Sequence, residues 1–191
     1  MTKRVIAICG GIGAGKSIIS MILRNLGYSV YDCDAHAKLL MDNNDIIKSE
    51  IASKICPDVI SNGEINRPLL SKFVFNNHDA LNTLNQIVHS AVKNDINIWL
   101  KQSTTTLISF IETAILYQSG LDKVVTEVWE VIAPKELRIE RVMHRNNISR
   151  ADVEIRINAQ NFTPQQKHQL TKEIINDKTT AVFPQILKLL Q

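Results

Sequence analysis

Gly10-Gly11-Ile12-Gly13-Ala14-Gly15-Lys16-Ser17 decides the fold, because it matches the phosphate-binding pattern G-x-x-x-x-G-K-[ST]. Glycines let successive backbone N–H groups turn inward around an anion. Lys16 adds a positive charge for the β- and γ-phosphates of a nucleotide, and the Ser17 hydroxyl suits Mg²⁺. The predicted nucleotide contacts are Gly11, Ile12, Gly13, Ala14, Gly15, Lys16, Ser17 and Ile18.

The segments on either side of this loop have the composition that the motif requires. The apolar run at 4–9 predicts a β-strand directly before the loop. Apolar residues at helical spacing follow the loop and predict a helix that points its positive end at the same anion. A glycine-rich turn between two core elements is the alternative interpretation.

Further strand-like runs indicate an α/β fold of the P-loop NTPase type, with a mainly parallel sheet flanked by helices. We expect the strand at 28–32 to be the neighbour of the loop strand. The five runs lie at 4–9, 28–32, 106–111, 124–132 and 172–176.

The long gap between the second and third predicted strands indicates an insertion, since a simple crossover is much shorter. Apolar residues between Asp79 and Leu100 recur near a 3.6-residue period, which predicts a long helix. The interpretation is a helical, acceptor-binding insertion over 35–102. The nucleotide-binding core then comprises 1–34, 103–133 and 170–191.

A second helical excursion is expected at 134–169. Pro134 opens a helix to about Asn146, and Ser149 is placed to cap another helix to about Asn161. Such a pair suits a lid that folds over bound phosphates.

Bulk composition limits the class of protein. The chain has 191 residues, a formal net charge of +3 and three cysteines. The sequence has no Lys/Arg run typical of a nucleic-acid arm and no membrane-length apolar stretch, and we expect no signal peptide because the N-terminal apolar run is short. We expect a cytoplasmic protein with no nucleic-acid or membrane partner; the oligomeric state stays open.

Asp32-Cys33-Asp34 ends the second predicted strand and offers two carboxylates. In an extended chain, Asp32 and Asp34 point to one side, near a bound Mg-ATP. Asp34 is the candidate general base, while Asp32 supports the turn or the magnesium waters. The alternative is an Asx turn that caps a helix at 35–41.

Arginines at helical spacing offer a second catalytic group. Arg138, Arg141 and Arg145 fall on one side of the helix that follows Pro134, where guanidinium groups suit a γ-phosphoryl in transit. The alternative is a solvated face on which Glu136 and Glu140 neutralise these arginines.

Two isolated residues have weaker signals. Glu112 follows an apolar run. One interpretation is a strand-end carboxylate that ligates Mg²⁺ through water. The alternative is a negative charge at the N-terminus of a helix. His89 lies within the long predicted helix, where a lone histidine is usually a spectator.

The order of these motifs resembles the dephospho-CoA kinase family along nearly the whole chain. The family's D-[AC]-D signature matches Asp32-Cys33-Asp34. Its G-x-[IL]-[ND]-R segment begins at Gly63, its [IL]-[VL]-H segment ends at His89, and its R-[IL]-x-x-Q element spans Arg156-Ile157-Asn158-Ala159-Gln160. Asp177 departs from the family, which often has an amide there.

The resemblance implies ATP and dephospho-CoA as substrates, with phosphorylation of the ribose 3′-hydroxyl. It implies Asp34 as the base, with Lys16 and Arg141 also catalytic. Arg145 would bind ATP, and the acceptor side would include Asp32, Arg67 and His89.

Other functions are compatible with these motifs. A small P-loop kinase for a nucleoside, a nucleotide or a metabolite alcohol would share most of these features. A nucleotide-dependent switch is disfavoured, because the N-K-x-D and D-x-x-G segments of GTPases are missing from the sequence. An inactive relative of the kinases is a third alternative.

Overall fold

The computed structural model describes residues 3–75, 77–102, 107–160 and 167–191. Two compact units share the chain, one formed by Met1–Tyr31 with Ser103–Gln191 and the other by Asp32–Gln102. The first unit is therefore discontinuous in sequence, whereas the second is one continuous segment.

Strands and helices alternate along the chain. The strands are β1 (Arg4–Cys9), β2 (Ser29–Asp32), β3 (Ile60–Ser61), β4 (Glu64–Ile65), β5 (Ile108–Glu112), β6 (Glu127–Ile132) and β7 (Thr171–Ile175). The helices are α1 (Lys16–Asn25), α2 (Cys33–Asn43), α3 (Asp45–Lys54), α4 (Arg67–Phe75), α5 (His78–Gln102), α6 (Lys135–Asn146), α7 (Arg150–Ala159) and α8 (Val182–Leu190).

A five-stranded sheet with the order β2-β5-β1-β6-β7 forms the centre of the first unit. The β1–β5, β1–β6 and β6–β7 ladders are parallel. Ile6, Ala7 and Ile8 of β1 are fully buried, as expected for a strand covered on both faces. The predicted α/β class is thus confirmed.

The expected neighbour of the loop strand is wrong, because β5 lies between β2 and β1. Aromatic rings pack against one another at this position. The ring of Phe110 on β5 packs 5.5 Å from Tyr28 and 5.1 Å from Trp129, centroid to centroid. Apolar patterning identifies a buried strand, but it does not identify the strands on either side of it.

Most predicted elements are present with shifted ends. The sixth strand begins at Glu127 instead of 124, because Leu121–Lys123 forms a 3₁₀ turn and the Thr126 side chain bonds the main chain of Val5. The predicted strand residue 106 and helix end Asn161 lie outside the described residues.

The second unit is mainly helical. Helices α2 to α5 and the β3–β4 hairpin enclose a core that includes Ile51, Val59 and Leu70. The long helix predicted between Asp79 and Leu100 is observed as α5. Across the described part of the chain, no helix combines the length and apolarity needed to cross a bilayer.

Candidate functional site

The phosphate loop connects β1 to α1 and depends on glycine geometry. Gly13 and Gly15 have φ values of 78° and 99°, the left-handed region that glycine adopts without strain. A Cβ on Gly13 would lie 2.5 Å from the carbonyl oxygen of Arg138, and one on Gly15 would overlap the amide of Asn176. Glycine is therefore required at both positions, because of the backbone dihedral angles and because Arg138 and Asn176 pack closely against the loop.

Lys16 and Ser17 begin helix α1 at the end of this loop. The Lys16 Nζ donates to the Gly10 carbonyl at 3.0 Å, so the ammonium group lies across the loop. Ser17 is exposed, and the Ile18 N–H donates to the Gly15 carbonyl at 3.1 Å. Loop amides, ammonium and helix N-terminus together suit a phosphate anion.

Helices α6 and α7 contact the tip of the loop through Ile12. The Arg138 Nε donates to the Ile12 carbonyl at 2.9 Å, and the Gln160 Oε1 accepts from the Ile12 N–H at 2.7 Å. Burial lowers the pKa of Arg138. An apolar cluster that includes Val142 and Val153 packs the two helices together, with Ile12 against it.

Arg141 holds the carbonyl side of the loop. Its Nη1 donates to the Gly13 and Ala14 carbonyls, each at 3.3 Å. Its Nη2 donates to the main-chain oxygen of Asn176 at 3.2 Å and to the Oδ1 of that residue at 3.1 Å. The guanidinium charge thus lies directly behind the phosphate loop.

The predicted arginine face is only partly brought to the loop. Arg138 and Arg141 reach it, whereas Arg145 is exposed and its Nε donates to Asn146 at 3.0 Å. The alternative was that Glu136 and Glu140 neutralise these arginines, but the observed ion pairs of the two glutamates are with other residues. Glu136 pairs with Arg150 and Glu140 pairs with Lys178, so both partners lie outside α6.

Asp32 ends β2 as predicted, but Asp34 lies in the first turn of α2, so the expectation that both residues share one extended segment is wrong. The Asp32 Oδ1 accepts from the Ala35 N–H at 3.0 Å and caps α2, which begins at Cys33. The alternative Asx cap is therefore confirmed, with the helix starting two residues before the expected 35. Asp34 is exposed in the first helical turn.

The two acceptor-side candidates lie on helices of the second unit. Arg67 begins α4, and its Nη2 forms an ion pair with the Asp42 Oδ1 at 2.7 Å. His89 lies on α5 and is half-buried. Burial lowers the pKa of His89, which favours a neutral imidazole at physiological pH.

Glu112 ends β5 at the edge where the phosphate loop starts. It is opposite Ile8 in the parallel β1–β5 register, one residue before the end of β1. The adjacent Thr113 N–H donates to the Ile8 carbonyl at 3.0 Å. Glu112 is therefore at the carboxyl end of the strand that neighbours the loop strand.

Sequence reasoning assigned no role to Asn176 or Gln160. Gln160 was part of a matched family element, but its hydrogen bond to the loop spans a long stretch of chain and has no local signal. Asn176 directly follows β7 and is 7% exposed. The next residue, Asp177, accepts hydrogen bonds from the Thr180 and Thr179 N–H groups, which lower its pKa to about 2.

Comparison with known proteins gives a consistent result. A family model for dephospho-CoA kinase matches residues 4–182. The dephospho-CoA kinase of Bacteroides fragilis is 34% identical over 185 residues, which cover 97% of this chain and 90% of that one. The corresponding protein of Porphyromonas gingivalis is 33% identical, with 97% and 92% covered.

Solved structures agree on the fold. A crystal structure from Thermus thermophilus has a TM-score of 0.82 and 29% identity, and the match covers 100% of this chain and 97% of that one. Dephospho-CoA kinase from Campylobacter jejuni has a TM-score of 0.69 and 24% identity, with 100% and 96% covered. Since the family model and the curated relatives match nearly the whole sequence, the chain belongs to the dephospho-CoA kinase family.

Proposed function

We propose that this protein transfers the γ-phosphoryl group of ATP to the ribose 3′-hydroxyl of dephospho-CoA, giving coenzyme A and ADP. The phosphate loop at residues 10–17, in a chain of this family, is the observation that carries the proposal. The proposal includes a cytoplasmic location, because ATP is the donor.

The ATP side of the reaction requires charge stabilisation more than covalent chemistry. We assign the loop N–H groups and Lys16 to the phosphates, since α1 begins at this lysine. We assign Arg141 to the charge that develops during transfer, because its guanidinium is fixed behind the loop. Arg145, one helical turn further on, is assigned to ATP binding.

Mg²⁺ fits the oxygen donors of this site. Within residues 3–75, 77–102, 107–160 and 167–191, no group of three or more His, Cys, Asp and Glu side chains is suited to hold a metal. Mg²⁺ with a nucleotide needs only one or two protein oxygens, since phosphates and waters supply the others. Ser17 would hold it, with Glu112 acting through water. Bound Mg²⁺ supplies positive charge to the phosphate oxygens.

The acceptor side is assigned to the second unit. Asp34, exposed at the start of α2, would accept the proton of the 3′-hydroxyl as a general base. Arg67 is a cation already oriented by Asp42, which suits a phosphate group of the acceptor. His89 and Asp32 complete the proposed acceptor side.

A coupled ADP-release assay tests this function. Dephospho-CoA should be consumed and coenzyme A formed, whereas AMP, CMP and shikimate should give only background ADP release. A Lys16→Ala protein purified in parallel controls for contaminating kinases. Rapid phosphorylation of another acceptor, with dephospho-CoA unchanged, would support a different small P-loop kinase instead.

A further inference from the structure

Asn176 lies at the end of the sheet, between the phosphate loop and Arg141. Its backbone N–H donates to the Ile132 carbonyl at 2.8 Å, which continues the β6–β7 ladder by one residue. We propose that Asn176 is a positioning residue that joins the phosphate loop and Arg141 into one hydrogen-bonded unit. This inference rests on the proposed function, because it takes the loop and Arg141 as the ATP-binding side.

Both polar atoms of the Asn176 side chain are used. The Nδ2 donates to the Ala14 carbonyl at 2.8 Å, and the Oδ1 accepts from the Arg141 Nη2 at 3.1 Å. If the amide were reversed, its NH₂ group would face the Arg141 donor and its oxygen would face the Ala14 carbonyl oxygen. Only the observed orientation therefore satisfies both partners. Asn176 therefore supplies a donor on one side and an acceptor on the other.

Arg141 closes the unit, because its Nη1 also donates to the Ala14 carbonyl at 3.3 Å. The Ala14 oxygen thus accepts from both side chains. In a planar trans peptide, fixing the Ala14 C=O direction also fixes the Gly15 N–H direction on the opposite side. The two side chains therefore aim a loop N–H group away from themselves, toward the anion-binding side of the loop.

Gly15 shows how closely this unit is packed. A side chain at this position would collide with the Asn176 Nδ2, in addition to the strain of a φ of 99°. The loop and the amide therefore approach each other at a distance that only glycine permits. A small displacement of Asn176 is transmitted directly to the loop backbone.

A double-mutant cycle tests the proposal, with kcat and KM for ATP measured on the full chain and dephospho-CoA as acceptor. Asn176→Ala and Arg141→Ala should each lower kcat/KM by about tenfold to hundredfold, as expected when a catalytic group is misplaced. Because the two residues act as one unit, Asn176→Ala should cost at most about twofold more in an Arg141→Ala background.

Two further variants separate positioning from packing. Asn176→Leu keeps the branching and the number of heavy atoms of the side chain and removes both hydrogen bonds, so it should lose activity as Asn176→Ala does. Gln185→Ala is the matched control. Its amide bonds the neighbouring Ile175, with the Oε1 accepting from N–H and the Nε2 donating to C=O, both at 2.9 Å. This control should stay within about twofold of wild-type kinetics.

Three outcomes decide the proposal. Wild-type kinetics in Asn176→Leu would overturn it, as would fully multiplicative losses in the double variant. If the wild-type chain does not phosphorylate dephospho-CoA, the proposed function fails first. The first two outcomes, observed with an active wild-type enzyme, would overturn this inference and leave the proposed function intact. Thermal melting of each variant verifies that it is folded at the assay temperature.

Discussion

At the scale of single residues, Lys16 takes its position from the left-handed Gly15 that precedes it and from the Gly10 carbonyl that its Nζ contacts at 3.0 Å. The ammonium group is therefore held over the loop by the loop itself. Asp34, in contrast, is exposed in a helical turn and is placed by the Asp32 cap.

Lys16→Ala should lower kcat/KM for ATP by at least about a hundredfold, because it removes the positive charge at the β- and γ-phosphates. Steady-state kinetics and ATP titration calorimetry measure the effect. Lys54→Ala, which removes an exposed lysine paired with Glu50, serves as the control. Turnover that survives with little change would show that the loop assignment is wrong.

Asp34→Asn should lower kcat by at least about a hundredfold while ATP binding is retained, since the amide does not accept a proton from the 3′-hydroxyl. Asp45→Asn is a matched control, because Asp45 is also an exposed acid in the first turn of a helix, α3. Both variants remove a negative charge near a helix N-terminus, and Asp45→Asn also removes an ion pair with Lys48 at 3.6 Å. Equal rates in both would assign the base to another residue.

At the scale of elements, the start of α7 depends on one cap. The Ser149 Oγ accepts from the Asp152 N–H at 3.2 Å and donates to the Asp152 carboxylate at 2.6 Å. Because α7 leads to Gln160, which binds the loop at Ile12, this cap stabilises a helix that contacts the phosphate site.

Ser149→Ala should lower the free energy of unfolding by about 1 kcal/mol, the usual cost of a lost N-cap. Urea denaturation monitored by circular dichroism measures it. Ser53→Ala is the control, since the Ser53 hydroxyl bonds only a carbonyl within its own helix, at Glu50. That control should change the free energy of unfolding by less than about 0.5 kcal/mol. Equal effects would argue against the cap.

Periodicity and the glycine pattern predicted most elements from the sequence. The long helix α5 and the strand–loop–helix unit are local features, so their residues carry enough information. The neighbours of β1 were not predicted, because apolar patterning marks a buried strand without identifying the strands beside it. The bonds from Gln160 and Asn176 to the loop join distant parts of the chain, and no spacing rule encodes them.

At the scale of the whole molecule, one buried carboxylate joins several elements of the first unit. Glu127 accepts hydrogen bonds from Arg4 at 3.0 Å and from Trp129 at 2.6 Å, and it pairs with Lys172 at 3.1 Å. Arg4 also donates to the Leu189 carbonyl at 3.2 Å. The starts of β1, β6 and β7 and the end of α8 therefore meet at one charge.

This network makes stability depend on pH. Burial alone raises the pKa of Glu127, but hydrogen bonds from Trp129, Arg4 and Lys172 outweigh burial and lower it. Because the pKa of Glu127 is lowered in the folded state, ionised Glu127 contributes fully to the free energy of unfolding at pH values above the unfolded-state pKa of about 4.3. It is lost as the pH falls through the folded-state pKa.

Glu127→Gln should therefore lower the free energy of unfolding by about 1–3 kcal/mol at pH 7, and the difference from wild type should shrink in acid. Urea denaturation at pH 7 and at about pH 3 measures both values. Glu154→Gln, at an exposed helical ion pair with Arg150, should change little at either pH. An equal loss at both pH values would contradict the charge-based explanation.

The strand order also has a consequence for synthesis. On the ribosome, β1 emerges before its partners β5 and β6, which follow about a hundred residues later. The segment Asp32–Gln102 leaves the exit tunnel in between and makes its contacts within one continuous stretch. The strand that bears the nucleotide loop therefore waits for both of its neighbours while the second unit is synthesised, which leaves an apolar β-edge open to chaperones and to aggregation during translation.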